Sequence, residues 1–158
     1  MPFAIDVRPP RKADIRHLAG TLGRAFYDDP VMRWMLPDDR RRAGGLGRMF
    51  AAMTRHHFLA GGGVEVALGS DGIGAAALWD PPGRWKQSPV EELRMMPGFL
   101  LAMGTGARRG RQISELMKER HPEEPHWYLG VASGRLTLVD LAFWPGSSRI
   151  PRSTAHYP

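Results

Sequence analysis

The sequence has no cysteine, which excludes disulfide frameworks, thiol nucleophiles and cysteine-based metal sites. It also has no apolar run approaching the roughly 20 residues that a membrane-spanning helix needs. Its N-terminus lacks the basic segment and apolar core of a secretion signal. These absences predict a cytoplasmic protein with no membrane partner.

Aromatic residues make up 9% of the chain, and positive charge is in excess over negative charge. Lys and Arg number 22 against 16 Asp and Glu, for a formal charge of +6. Such a charge attracts polyanions. The arginines are scattered, however, and few aromatic side chains lie among them to stack on bases. A basic nucleic-acid-binding module is therefore the less favoured alternative.

The chain of 158 residues is long enough for one domain with a continuous core. Period-two and helical hydrophobic patterns alternate along it. They predict an α+β (mixed α/β) fold, with an N-terminal strand, helices, a β-hairpin, helices, strand 4 and an irregular C-terminal tail. The predicted segments are a strand around Phe3–Val7, helices at 12–26, 30–36 and 40–59, a hairpin at 64–79, helices from Ser88 and from Arg109, and a strand at 126–132.

Four side chains with metal-ligand chemistry crowd into one short stretch, at His121, Glu123, Glu124 and His126. A helical zinc site needs two imidazoles one turn apart on a regular helix. Pro122 and Pro125 interrupt any such helix. We therefore predict no metal site, and interpret the stretch as a solvated turn leading into a strand.

Other polar motifs have structural interpretations. His56 and His57 lie late in a predicted helix, where imidazoles can interact with terminal carbonyl groups. The runs Arg40–Arg42 and Arg108–Arg111 are typical of solvated helix ends, with attraction of a nucleotide's phosphates as the alternative.

Three segments of the chain match sequence motifs of a known protein family, in the same order along the chain. The first runs from Val7-Arg8-Pro9 to the helix end Ala25-Phe26-Tyr27-Asp28-Asp29-Pro30-Val31; the second is Gly74–Gly83 and the third Glu124–Leu129. Together they resemble strand 1 to strand 4 of the GNAT superfamily of acyl-CoA-dependent N-acyltransferases, in its actinobacterial form.

The resemblance implies transfer of an acetyl group from acetyl-CoA to an amine of a small molecule or peptide. It implies that the strand 4 backbone at Leu129, Gly130 and Val131 holds the pantetheine arm of acetyl-CoA. It also places four side chains on the acceptor side, namely Phe26, Tyr27, Asp29 and Trp79.

The chain departs from the family after strand 4. The family has a Q/R-x-x-G-x-G/A loop there, which binds pyrophosphate through backbone N–H groups. This chain reads Ser133-Gly134-Arg135 and then a Ser-, Arg-, Pro- and Gly-rich stretch. We therefore predict a GNAT-like domain at residues 1–132 and a divergent, irregular tail at 133–158. A frameshift near Gly130 is our hypothesis for this change, and a non-catalytic, truncated or frameshifted remnant is the alternative to an active enzyme.

Overall fold

Four antiparallel strands form a sheet with helices on one face. The structure, a computed structural model, describes residues 6–69 and 72–134. The strands are paired in chain order, and each runs antiparallel to its neighbour. Their bounds are β1 Asp6–Arg8, β2 Val64–Gly69, β3 Gly72–Asp80 and β4 Tyr128–Gly134.

Some of the helices precede the β2–β3 hairpin, and the others lie between this hairpin and β4. A 3-10 turn at Lys12–Asp14 leads into the first helix, and another at Gly104–Gly106 leads into the last. The α-helices are α1 Ile15–Ala25, α2 Pro30–Met35, α3 Asp39–Met53, α4 Leu59–Gly61, α5 Pro89–Met103 and α6 Ala107–Arg120. A π-helical turn, Thr54–Phe58, joins α3 to α4 without a break.

Local sequence signals account for the helix ends. The Asp29 carboxylate caps α2 by accepting hydrogen bonds from the backbone N–H groups of Val31 and Met32, both at 3.0 Å. Ser88 and Glu91 form a reciprocal capping box at the start of α5. Gly62 ends α4 in the left-handed region, at φ +70°, which favours glycine over residues with a Cβ.

The main core lies between the sheet and the helix layer. It includes Leu18 and Leu22 of α1, Leu46 and Phe50 of α3, and Leu78 of β3. Glycines let α3 and α5 approach closely. A Cβ at Gly98 would lie 2.8 Å from Cβ of Ala52, and one at Gly45 would lie 2.8 Å from the Ala102 carbonyl oxygen.

The other face of the sheet carries a smaller apolar cluster, in which Trp79 and Ala132 pack against Ala67, Ala75 and Ala77. None of the helices in residues 6–69 and 72–134 combines the length and apolarity that crossing a membrane demands. The α+β prediction is confirmed. β4 extends to Gly134, two residues past the predicted domain boundary, and the predicted tail from 135 to 158 lies outside the described residues.

Candidate functional site

The predicted cofactor strand, β4, contains a bulge. Trp79 pairs with Leu129 and Leu78 with Val131, so Gly130 is an additional residue without a partner on β3. A bulge leaves one residue out of the ladder and redirects the strand. β4 is also the last strand of the sheet, since within the described ranges no strand pairs with its outer edge. Its outward N–H and C=O groups can therefore bind an extended ligand.

The π turn supports the bulge from inside the protein. Phe58, which is buried, packs beneath Gly130, and a Cβ at Gly130 would lie 3.0 Å from its Cζ atom. Val131 packs into the main core, while Leu129 is 42% exposed. Leu129 is the direct cross-strand partner of Trp79, so the two side chains lie on the same face of the sheet. The bulge at Gly130 therefore places Leu129 and Val131 on opposite faces.

Next to Phe58, His57 lies between two carboxylates. Its Nε2 atom is 2.8 Å from Oδ1 of Asp80, at the end of β3, and its Nδ1 atom is 3.6 Å from Oε2 of Glu91, in the first turn of α5. Both contacts are close enough for charge pairing, and the shorter one is within hydrogen-bond distance. We call His57, Asp80 and Glu91 the ionic cluster. It joins the π turn, β3 and α5.

Burial and the polar neighbours shift the pKa values of the ionic cluster in opposite directions. Burial lowers the pKa of His57, but Asp80 and Glu91 together raise it by a larger amount. The net pKa therefore lies above the ordinary 6.5. Burial raises the pKa of Glu91, but hydrogen bonding with Ser88 and the proximity of His57 lower it below the ordinary 4.5. Both shifts favour a protonated His57 imidazole next to an ionised Glu91 carboxylate.

A second cluster, made of four aromatic rings, surrounds the start of β4. The His121 ring stacks on Trp85, with centroids 3.7 Å apart, and on His126 at 4.9 Å. Tyr128 meets the His121 ring edge-on at 4.8 Å. We call Trp85, His121, His126 and Tyr128 the stacked cluster. It fixes the loop after β3 against the first residue of β4.

The stacked cluster favours neutral groups. Burial lowers the pKa of His121, and His126 and Lys86 lower it further, while Asp80 acts in the opposite direction. Burial, followed by the charge of Asp80, raises the pKa of Tyr128 above 10.0. The Nε2 atom of His121 is buried without a hydrogen-bond partner. In the described part of the chain, no three metal-ligating side chains come together in a possible cation site.

Three of the four predicted acceptor-side residues lie in the α1–α2 turn. Phe26 contacts Phe50, with ring centroids 5.5 Å apart, and Asp29 caps α2. The Tyr27 hydroxyl donates to the Asp39 carbonyl oxygen at 3.2 Å, and the Arg42 guanidinium lies over the Tyr27 ring.

Trp79 is separated from these three. It belongs to the smaller cluster on the opposite face of the sheet, and its indole Nε1 is buried without a hydrogen-bond partner. The structure therefore does not bring the four acceptor-side residues together on one face of the sheet.

The two arginine runs that we predicted to be solvated, Arg40–Arg42 and Arg108–Arg111, lie in different environments. The expectation is wrong for Arg42, which is 3% exposed and donates to the carbonyl oxygens of Leu36 and Pro37. Arg109 is exposed and lies over the Trp34 ring. With Arg108 and three other residues it lines an open depression of about 380 Å³.

No protein-family model matches the sequence, and no curated protein matches it. The crystal structure of histone acetyltransferase HPA2 and related acetyltransferase from Corynebacterium glutamicum ATCC 13032 is similar in fold, with a TM-score of 0.58 and 26% sequence identity. The similarity covers 90% of this chain and 64% of that chain, so this chain spans just under two thirds of that protein's length.

The chain has a GNAT-like fold. The expectation of such a fold is thereby confirmed, and its fourth strand is the bulged edge strand β4.

Sequence reasoning missed two supports of this GNAT-like sheet. The π turn has no signal in the hydrophobic pattern, so the contact of Phe58 with Gly130 could not be anticipated. Trp85 and His121 stack on each other although they are far apart in the sequence. By contrast, Asp80 and Glu91 were visible as a carboxylate at a strand end and as a capping residue. Only their convergence on His57 was hidden.

Proposed function

We propose that this chain is an N-acetyltransferase of the GNAT superfamily that transfers an acetyl group from acetyl-CoA to an amine. The observation that carries the proposal is the bulge at Gly130 on the outer edge of β4, which no strand within residues 6–69 and 72–134 covers. The similarity to a solved acetyltransferase supports it.

The residues present fit an extended donor. An amide-containing chain adds to a sheet edge through main-chain hydrogen bonds. Leu129, Gly130 and Val131 have such an edge, and Gly130 adds no side chain that would obstruct it. Bound acetyl-CoA would supply the activated thioester carbonyl group. The chain's own contribution is to hold the donor arm against a backbone that Phe58 supports from below.

The acceptor in this proposal is an amine on a small molecule or peptide. Phe26, Tyr27 and Asp29 remain its proposed neighbours at the α1–α2 turn, whereas Trp79, on the other face of the sheet, is not grouped with them. A cytoplasmic location, expected from the composition, is also part of the proposal.

Calorimetric titration of the full 158-residue chain with acetyl-CoA tests the proposal. We expect saturable binding in the micromolar range, with slower amide hydrogen exchange at Leu129–Val131. Release of free thiol in the presence of a panel of amines then tests transfer itself.

Two bulge glycines provide matched variants. Gly130→Ala is expected to weaken acetyl-CoA binding at least several-fold, because the new Cβ crowds Phe58. Gly74 is the additional residue in the β2–β3 pairing, and the nearest atom to a Cβ there is 4.0 Å away. Gly74→Ala should therefore bind like the wild type. Absence of both heat and amide protection in the folded wild type would favour the non-catalytic remnant suggested by Ser133-Gly134-Arg135.

A further inference from the structure

Helix α5 is apolar on two opposite sides. Its inner side packs on α3 and carries Met95 and Ala102, which are 1% and 5% exposed. A surface helix normally turns polar residues outward. The outward side of α5 instead carries five large apolar side chains that are 49–67% exposed, at Val90, Leu93, Met96, Leu100 and Leu101.

These five side chains form one stripe. At 100° per residue they fall within an arc of about 140°, and from Val90 to Leu101 they extend about 16 Å along the helix. Pro97 is also exposed and lies within the same arc. The stripe is therefore continuous, with no charged residue inside it. We call the five side chains together with Pro97 the outer face of α5.

Exposed apolar residues are concentrated on this part of the molecule. In the described ranges ten large hydrophobic residues are exposed, and five of them belong to the outer face of α5. Monomeric proteins seldom leave a continuous apolar patch of more than a few hundred Å² in water. A patch of this kind indicates an interface.

We propose that the outer face of α5 is the interface of a homodimer, in which a second copy of the chain covers it. The charges beside the stripe favour this partner. Glu92 lies on one flank, where it pairs with Lys118 at 3.4 Å, and Arg94 lies on the other flank. A two-fold axis along the helix brings Glu92 of each copy close to Arg94 of the other, and the half-exposed Glu92 carboxylate can pair with Arg94 as well as with Lys118. The face is thus complementary to itself.

The available area also suits a pair of identical chains. The five side chains expose roughly 500 Å² together, and a standard interface takes about 800 Å² from each partner. The flanking charged residues and Met117 of α6, which is 48% exposed, can contribute to the remainder. Homodimer interfaces are more apolar than the average protein surface, as this face is.

Sedimentation of the full chain over a range of concentrations tests the interface. We expect the wild type to associate to twice its mass of 17.6 kDa at micromolar concentration. The double variant Leu93→Glu/Leu101→Glu is expected to sediment as a monomer, with the dimer dissociation constant raised at least 100-fold. Both leucines are about two thirds exposed, so the folded monomer should tolerate the change. Its circular dichroism and unfolding midpoint should match those of the wild type.

Leu116→Glu is the matched control. Leu116 is an exposed leucine of α6, 48% exposed, outside the outer face of α5. This variant should dimerise like the wild type. A wild type that stays monomeric at the highest concentration overturns the proposal. So does a folded double variant that dimerises as strongly as the wild type, or a control that loses dimerisation to the same extent.

Discussion

The ionic cluster and the stacked cluster each hold a buried histidine ring nitrogen near the start of β4, but they favour different protonation states of the imidazole. In the ionic cluster two carboxylates raise the pKa of His57. In the stacked cluster burial and a second imidazole lower the pKa of His121. The same side chain is favoured as a cation in one place and as a neutral ring in the other because its partners differ.

Asp80 connects the two clusters. Its carboxylate contacts His57, and its charge also acts on His121 and Tyr128. It pairs with Tyr128 across the β3–β4 ladder. The start of the proposed donor strand is therefore held from two sides by groups with opposite responses to pH. Three measurements separate their contributions.

The largest expected effect is that of Asp80→Ala. The variant leaves His57 buried without its nearest carboxylate, and breaking a buried ion pair from one side costs about 3 kcal/mol of unfolding free energy. Urea unfolding followed by circular dichroism measures the loss. Asp28→Ala removes an exposed carboxylate from the α1–α2 turn, so it should unfold like the wild type. Equal stability of the two variants would contradict a stabilising role for the ionic cluster.

A smaller loss is expected for Trp85→Ala. Removing the indole takes away the stacking partner of His121, and an aromatic pair of this kind contributes about 1 kcal/mol beyond its buried area. The variant also exposes His121 to water, so its pKa should rise towards 6.5. Titration of the imidazole signals by NMR measures that shift. An unchanged His121 titration would show that Trp85 does not bury this ring.

The pH dependence of stability gives the smallest effect, and its sign differs between the clusters. The folded-state pKa of His57 is raised, so its stabilising contribution is complete below 6.5 and is lost as the pH rises through the folded-state pKa. The folded-state pKa of His121 is lowered, so its contribution is present above 6.5 and is lost as the pH falls towards the folded-state pKa.

Unfolding free energies on both sides of pH 6.5 test these signs. We expect His57→Gln to lack the decline of the wild type on the alkaline side, and His121→Asn to lack the decline on the acidic side. NMR titrations of the wild type provide a direct measurement of both rings. If both imidazoles titrate on the same side of 6.5, the contrast between the clusters is wrong.

Much of the fold was predictable because its signals are local. Asp29 before Pro30, the Ser88 and Glu91 pair of the capping box, and the glycines after α4 are local sequence signals, and each lies at a helix end in the structure. The two clusters were not predictable because each joins distant segments. Glu91 is visible as a capping residue, but the sequence does not reveal that it also faces His57.

Burial of single residues was also hard to predict. Arg42 belongs to a run of three arginines that looks uniformly solvated, yet it alone is buried, against backbone carbonyl oxygens. The donor-strand assignment of Leu129, Gly130 and Val131 came from the family resemblance and remains a prediction. A glycine inside a strand often marks a bulge. Gly130 was therefore a weak signal, and the residues that pair on either side of it became known only from the structure.

The π turn limits how the length of this chain can vary. A π turn holds one residue more than the α-helical turn that it replaces, so everything after it is rotated by about 100°. Deleting the exposed Arg55 would allow a regular helix but would turn His57 and Phe58 away from Asp80 and Gly130. The number of residues between Met53 and Gly62 is therefore fixed by the sheet. Insertions and deletions in proteins with this arrangement should fall in the connecting loops and spare this helical segment.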